Sequence, residues 1–345
     1  MNRTVSADRP TFRDIIDPNN NLHRQKLIKK IQKLLGGKLI VYTANPNSPA
    51  VQATAILLQD AMFFEDLLRT CGDAETGHLM ITSLGGDPNA AEKLLIMCRE
   101  RFPKGFSVIV PDYAKSAATQ ICLGSDQIQM GYLAELGPID PQIQIDPSGN
   151  TLPARSFIDG LNGIRDRIQK GDQPLTYLPM LAQIPPQLIA ICESAIEDSR
   201  KTAEKWLKKY MLKDNPKQAE IVADKLSNGL DYKSHGKVID YAEAKDVLKL
   251  NAEKIDFKSE LWDLIWELYV RSKAFFQLPA GRNVVKLFEG ESVSLSVQVA
   301  IQLVGIPPPP QPQPQPPKTA PQTPPVSPPQ SPEAPLKMEQ SIPAS

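Results

Sequence analysis

Between residues 38 and 130, the apolar positions alternate between two spacings. Short runs rich in β-branched residues predict strands at 38–43, 78–83, 106–111 and 127–130. Apolar residues at helical spacing lie between them and predict helices over 52–71, 87–102 and 116–125. Strands that alternate with helices are typical of an α/β fold with a parallel sheet covered by helices.

The chain from 154 to 276 is mostly amphipathic and predicts a helical second half, followed by a late strand over 292–304. From Ile306 onward the chain holds nearly half of its 33 prolines, and this composition favours an extended backbone that cannot bury a core. We therefore predict an N-terminal segment over 1–37, a domain over 38–305 and a disordered proline-rich tail over 306–345. The tail either docks on a partner that recognises proline or is a solvated tail without a specific partner.

Charge and cysteine content exclude several classes of protein. Lysine plus arginine and aspartate plus glutamate both number 39, so no global charge indicates a nucleic-acid partner. The four cysteines are far apart and form no CxxC pair, which argues against a zinc site and a disulfide scaffold. No apolar run has the length of a membrane span or a signal peptide. These features predict a cytoplasmic protein without metal or cofactor and leave peripheral membrane association open.

Two glycines, Gly85 and Gly86, stand between a predicted strand and a predicted helix in MITSLGGDP. Glycines there leave backbone N–H groups unshielded beside a positive helix N-terminus, which suits an anion. The chain has neither a GxGxxG fingerprint nor a P-loop, so phosphate binding is not indicated. The two open interpretations are an oxyanion hole and a simple tight turn.

Ser116 follows the next predicted strand, where the exit loop becomes a helix. Neighbouring parallel strands end at one edge of a sheet, so the diglycine and Ser116 are expected to face one crevice. The small neighbours Ala114, Ala117 and Ala118 would let a substrate backbone approach, with the Ala117 N–H as a second oxyanion donor. The simpler alternative is that Ser116 only caps the helix.

Three segments together resemble a known family: LMITSLGGDPNAAEKLLIMCRERFP, VIVPDYAKSAATQICLGSDQIQMG and LAELGPIDPQI. They are similar to the Clp-protease and signal-peptide-peptidase superfamily, in particular its serine dehydrogenase proteinase branch. The resemblance implies a ClpP/crotonase-like spiral of β-β-α units with Ser116 as the nucleophile. It also implies that Gly85 and Gly86 donate to the oxyanion or the substrate backbone, and that the protein is a homo-oligomer.

A serine hydroxyl must be activated by a base, and this base is the uncertain part of the site. Clp-type proteases resemble Ser-His-Asp triads, but the segment AELGPIDPQI, where their histidine would lie, contains none. Signal-peptide peptidases instead resemble Ser-Lys dyads, and Lys170 is the first lysine after Ser116. A lysine acts as a base near neutral pH only where burial lowers its pKa. By the resemblance to Ser-Lys dyads, Lys170 is the predicted base.

The other candidate side chains fall into two groups. The further candidates for the base are Lys201, Lys205 and His235, the last in the turn-like SHGK. Structural roles are favoured for the remaining ones, which are His23, His78, Lys115, Asp87 as a helix cap, Asp126, Asp140 and Glu135, although Glu135 could also orient a substrate or a base.

The sequence thus predicts a serine endopeptidase that cleaves a peptide or protein substrate through an acyl-enzyme. Gly86 and Ala117 would hold the oxyanion, and Lys170 would accept the proton. Two alternatives from other classes stay open. One is a crotonase-type acyl-CoA enzyme that uses the same backbone donors without a serine. The other is an inactive relative that recruits protein partners through its tail.

Overall fold

A seven-stranded sheet forms the centre of the computed structural model, which describes residues 20–144, 150–182, 184–232 and 234–299. All of these residues belong to one unit that ends at Ile301. The predicted tail, 306–345, lies outside the described residues. The sheet strands are β1 (Lys38–Ala44), β2 (Thr76–Thr82), β3 (Gly105–Val110), β5 (Gln127–Met130), β9 (Ala252–Lys254), β10 (Val284–Glu289) and β11 (Ser294–Gln298), in the order β11-β10-β1-β2-β3-β5-β9.

The strands predicted from the first half of the chain are confirmed, and β1, β2, β3, β5 and β9 run parallel. Two further strands extend this parallel sheet in the antiparallel direction, because β10 pairs antiparallel with β1, and β11 with β10. Strand β10 was not predicted. All of its residues are buried, so it lacks the alternation that identifies a half-exposed strand.

Helices cover both faces of the sheet, as the α/β prediction requires. The helices are α1 (Asn20–Leu35), α2 (Val51–Thr54), α3 (Asp60–Arg69), α4 (Pro88–Arg101), α5 (Ala117–Leu123), α6 (Ala154–Gln169), α7 (Leu178–Leu181), α8 (Pro186–Lys209), α9 (Pro216–Ser227) and α10 (Glu260–Phe275). The face with Ile40, Leu79 and Val108 packs in the larger core with residues of α3, α4, α5, α8 and α9. The face with Val41 and Met80 packs against α1 and α10. Because both faces are covered, the strands are apolar on both sides.

A second layer of short strands lies beyond the carboxyl ends of the main sheet. Strand β4 (Tyr113–Ala114) follows β3 and pairs with β6 (Glu135–Leu136), which follows β5. Isolated bridges add Ser83 beside Ala114, and Ile239 beside Leu136. Strands β2, β3 and β5 are thus each followed by a short extended segment, and β2 and β3 then lead into α4 and α5. This is the predicted spiral of β-β-α units, with a short hairpin of β7 (Gln142–Gln144) and β8 (Thr151–Pro153) before α6.

The helix predicted over 52–71 is broken, and the break contributes to the site. Residues 55–59 leave helical geometry between α2 and α3, and Ile56 pairs with Gly86 as in a parallel sheet. The Ile56 N–H donates to the Gly85 carbonyl at 2.8 Å, and the Ile56 carbonyl accepts from Asp87 N–H at 2.9 Å. This pairing holds the backbone of the diglycine in place and accounts for the break, because residues bonded to another segment cannot also complete a helix.

None of the helices in the described part of the chain is long and apolar enough to cross a membrane.

Candidate active site

Ser116 occupies a strained turn between β4 and α5. Its backbone has φ 50 and ψ −122, and φ is otherwise positive at only one described residue that is not a glycine, Lys249. A non-glycine residue in such a conformation costs about 1 to 3 kcal/mol and is typical of functional turns. A serine at a helix start usually accepts a hydrogen bond from the first turn, but the Ser116 side chain makes no such cap. The hydroxyl is therefore not used to cap α5.

The diglycine bend lies directly against this turn. A Cβ added to Gly85 would lie 2.7 Å from both the Ser116 Cβ and the Lys115 carbonyl oxygen, so only glycine fits there. Its φ of 102 also favours glycine. Gly86 approaches another backbone as closely, since an added Cβ would lie 2.3 Å from Ile56 N. The structure thus brings together the two glycines and the serine that the sequence analysis assigned to one crevice.

Two backbone N–H groups at this junction are available to a ligand. The Gly85 N–H already donates to Ser83 Oγ at 3.1 Å. Among the described residues, neither the Gly86 N–H nor the Ala117 N–H has a hydrogen-bond acceptor. Gly86 is also exposed to solvent. Unpaired donors at the start of α5 and at the bend are the groups an oxyanion hole requires.

Lys115 ties the serine turn to two other segments. Its Nζ donates to the Leu136 carbonyl at 3.0 Å and to the Lys237 carbonyl at 3.3 Å, and it pairs with Glu135 Oε1 at 3.0 Å. The side chain is buried. These contacts hold β6 and the segment around residue 237 beside the serine turn, which agrees with the structural role predicted for Lys115.

His235 and Asp140 form a pair near that second segment. His235 Nδ1 lies 2.8 Å from Asp140 Oδ1, and the Asp140 carboxylate is 3 % exposed while the imidazole is 29 % exposed. Gln142 Nε2 donates to the other Asp140 oxygen at 2.9 Å. Because a carboxylate only accepts, a neutral His235 carries its proton on Nδ1 and has an Nε2 lone pair that can take up another.

The sequence indicates both residues as candidates but not their pairing. They are 95 positions apart and lie in loops, where periodicity gives no information. In the structure, Leu136 and Ile239, which lie in the same two segments, pair in the second layer of strands and bring the two loops together.

Lys170, the predicted base, lies at the end of α6, where its backbone N–H donates to the Asp166 and Arg167 carbonyls. Its side chain is exposed. Lys201 and Lys205 are also exposed and pair with Glu197 and Glu92. The structure therefore does not give these lysines the desolvated setting that a lysine base requires. Lys170 stays a prediction that the structure does not test.

The other residues weighed in the sequence analysis have structural contacts. Asp87 caps α4 by accepting from the Asn89 and Ala90 N–H groups, which confirms its predicted role. Asp126 pairs with Arg99, and His78 Nδ1 lies 2.7 Å from Ser107 Oγ. His23 lies on α1, half-buried. Within the described residues, no group of three or more His, Cys, Asp or Glu side chains is placed to hold a metal ion.

A family model described as ClpP-like SDH-type serine proteinase matches residues 23–272. The chain belongs to this family. The match covers well over half of the chain, and it confirms the resemblance inferred from the three sequence segments. The matched range spans the strained serine, the diglycine bend and the His235–Asp140 pair.

The individual proteins that resemble this chain match it over a short stretch or at low sequence identity. A stretch of 76 residues is 38% identical to an uncharacterized protein of Methanocaldococcus jannaschii and covers 22% of this chain. The chain matches about a quarter of the length of that relative, 26%.

Among solved structures, a mutant of the 1510-N membrane-bound stomatin-specific protease is 16% identical, with a TM-score of 0.38, over 63% of this chain and 80% of that one. A probable enoyl-CoA hydratase/isomerase from Mycobacterium abscessus is 12% identical, with a TM-score of 0.30, over 69% of this chain and 72% of that one. Similarities at this level carry no argument about the chemistry of this chain.

Proposed function

We propose that the protein hydrolyses peptide bonds through an acyl-enzyme formed on Ser116. The observation that carries the proposal is the junction of Ser116 and Gly85. The serine is held in a strained turn, makes no cap and lies against a bend whose glycines no other residue could replace. Membership of a serine proteinase family supports the same reading.

The chemistry follows from the groups at this junction. The Ser116 Oγ attacks the carbonyl carbon of the scissile bond and passes its proton to a base, while the Gly86 and Ala117 N–H groups stabilise the oxyanion. The base then protonates the leaving amine as the C–N bond breaks. Water, deprotonated by the same base, hydrolyses the ester and restores the serine.

We assign the base to His235, with Asp140 as the residue that orients it. The assignment is supported by the 2.8 Å contact between them and by the burial of Asp140. It is also supported by Lys115, which joins the serine turn to the carbonyl of Lys237, two residues beyond the histidine. A neutral imidazole needs no desolvation to accept a proton near neutral pH, in contrast to an exposed lysine such as Lys170.

A fluorophosphonate probe tests the nucleophile and the base together. We expect wild-type protein to be labelled on Ser116, and Ser116→Ala to be unlabelled. His235→Gln should slow labelling by roughly 100-fold or more, because general-base catalysis contributes about that much. Asp140→Asn should also slow it, and Lys170→Met should leave the rate unchanged.

The opposite pattern would assign the base to the lysine. If Lys170→Met abolished labelling while His235→Gln did not, His235 would be excluded and the predicted Ser-Lys dyad would stand. Equal labelling of wild type and Ser116→Ala would show that Ser116 is not the nucleophile. It would favour thioester enolate chemistry at the same backbone donors. Cleavage of an unfolded protein substrate by wild type but not by Ser116→Ala separates an active peptidase from an inactive scaffold.

A further inference from the structure

We propose that a cavity between the loop after β1 and the end of α10 binds a small monocarboxylate with an apolar, aromatic-sized body, held by the ammonium group of Lys273. This proposal does not rest on the proposed peptidase function.

The cavity has the size and lining of a small-molecule site. Its volume is about 370 Å³, within the range of roughly 300 to 1,000 Å³ typical of ligand pockets. Apolar and aromatic side chains of α10 and its end form most of the wall, and Asn45 and Asn47 close the side next to β1. The lining residues that the proposal uses are Asn47, Trp266, Tyr269, Lys273, Ala274 and Phe276. Ligands often bind beyond the carboxyl ends of parallel strands, where this cavity lies.

Lys273 supplies the positive charge. Of the described residues that line the cavity, it is the one with a basic side chain. Its Nζ lies 3.4 Å from the Tyr113 hydroxyl, and it stands over the Tyr113 and Tyr269 rings at 5.4 and 5.7 Å from their centroids. Within the described part of the chain, no carboxylate lies within 4.0 Å of this Nζ. Lys273 is half-buried, and this burial lowers the pKa of its ammonium group because the charged form has lost part of its hydration.

The carboxylate of Asp112 lies near enough to favour the charged form of Lys273. However, this carboxylate already accepts a hydrogen bond from the Tyr269 hydroxyl. Lys273 is thus partly desolvated, flanked by two phenol rings and without a direct counter-ion. A carboxylate in the cavity would supply that counter-ion and restore the hydrogen bonds that burial removed.

The charge and shape of the site select the class of ligand. A single ammonium matches one negative charge, whereas phosphate groups are usually bound by several donors, by arginine forks or by a helix N-terminus. The cavity lies at the last turns of α10, where the negative end of the helix dipole disfavours a multiply charged anion more strongly than a singly charged one. The aromatic and aliphatic wall then suits a ligand body without further charge.

Calorimetric titration of the full chain with 4-phenylbutyrate and with 4-phenyl-1-butanol tests the proposal, because the two probes share a body and differ in charge. We expect the acid to bind with a dissociation constant of about 1 mM or below, and the alcohol to bind about tenfold more weakly. Lys273→Met should weaken the acid about tenfold and leave the alcohol unchanged. Lys217→Met, which removes an exposed lysine of α9, is the matched control and should change neither.

Two further measurements keep the test decisive if Lys273→Met is unstable. Ala274→Leu fills the cavity while keeping the lysine, and it should abolish binding of both probes. In the wild-type chain, 4-phenylbutyrate should slow acetylation of Lys273 but not of Lys217, as read by peptide mass spectrometry. The proposal is overturned if the acid and alcohol bind equally, if neither binds at millimolar concentration, or if the acid leaves Lys273 acetylation unchanged.

Discussion

At the scale of single residues, the site depends on two positions with tightly constrained backbones. Ser116 takes a backbone conformation that a serine rarely adopts, and Gly85 fills a place where a Cβ would meet the Ser116 Cβ at 2.7 Å. The two constraints reinforce each other, because the bend can approach the serine only while it lacks a side chain. This mutual fit makes the junction sensitive to one added methyl group.

We predict that Gly85→Ala abolishes fluorophosphonate labelling of Ser116 and lowers the free energy of unfolding by about 2 kcal/mol or more. The physical reason is the contact with Ser116 together with the positive φ of 102. Gly160→Ala on α6 is the matched control, because an added Cβ there meets nothing within 4 Å. It should raise stability by about 0.5 to 1 kcal/mol and leave labelling intact. Normal labelling of Gly85→Ala would contradict the described junction.

Lys115 is predicted to position the site rather than to take part in the chemistry. Lys115→Met leaves the Leu136 and Lys237 carbonyls and Glu135 without their donor. We expect labelling of Ser116 to slow by about tenfold, measured well below the melting temperature of the variant. Lys237→Met is the control, since the contact uses only the backbone carbonyl of that residue. A wild-type rate in Lys115→Met would exclude the positioning role.

Much of the junction between Gly85 and Ser116 could be predicted from the sequence, whereas the pairing of His235 with Asp140 could not. Gly85 and Ser116 follow β2 and β3, which are neighbours in a parallel sheet, so topology alone brings them to one edge. The contact between His235 and Asp140 depends on how two irregular loops fold over β6. No periodicity or spacing encodes such a contact.

At the scale of secondary-structure elements, long periodic segments were predictable and interrupted ones were not. The strands β1, β2, β3 and β5 and the capped helix α4 follow local pattern and capping chemistry. The segment 52–71 has helical spacing throughout, yet Ile56 leaves the helix to pair with Gly86. Tertiary hydrogen bonds overrode local preference there, which sequence periodicity cannot foresee.

A half-buried histidine of β2, His78, should make stability depend on pH. His78 and Ser107 are register partners, and burial lowers the pKa of His78 to about 4, from about 6.5 in an unfolded chain. Between these values the unfolded state binds more protons, so stability is lost as the pH falls from about 6.5 toward 4.

We predict that wild type loses about 1 to 2 kcal/mol more stability than His78→Gln between pH 7 and pH 5. The measurement is urea unfolding of both proteins at each pH, with the change in free energy between the two pH values compared for each. Comparing these changes removes any constant cost of the substitution. Parallel pH profiles for the two proteins would show that His78 protonates equally in the folded and unfolded states.

At the scale of the whole molecule, buried ion pairs join the late strand β10 to the N-terminal part of the fold. Lys286 Nζ lies 2.7 Å from Asp60 Oδ1, and Arg24 Nε lies 2.8 Å from Glu289 Oε2, with all four side chains at most 2 % exposed. The partners are separated by more than 220 positions in each case. Together with the pairing of β10 and β1, these contacts attach the late strand to the N-terminal part of the fold.

We predict that Lys286→Met lowers the free energy of unfolding by about 3 to 5 kcal/mol, because it leaves Asp60 charged and buried without its partner. The double variant Lys286→Met with Asp60→Asn should recover a large part of this loss. Lys38→Met removes the partly exposed pair with Glu291 and serves as the control, with an expected cost of at most about 1 kcal/mol. Equal losses for the two single variants would mean that burial of the Lys286 pair has no energetic consequence.

Self-association is expected from the apolar surface before and along α8. Leu175, Met180 and Ile191 are 72%, 54% and 54% exposed. Sedimentation of the wild-type chain should give a mass above that of one chain, and Leu175→Glu with Met180→Glu should lower it. Met62→Glu, which changes an exposed methionine on α3, is the control and should not. A wild-type chain that sediments as a monomer at micromolar concentration would contradict the predicted homo-oligomer.

The backbone angle of Ser116 also bears on whether this chain has kept an activity. A protein that only bound partners would be more stable with glycine at position 116, since glycine adopts a φ of 50 without an energetic penalty. Serine at this position therefore costs stability, a cost that we expect if its hydroxyl is the proposed nucleophile.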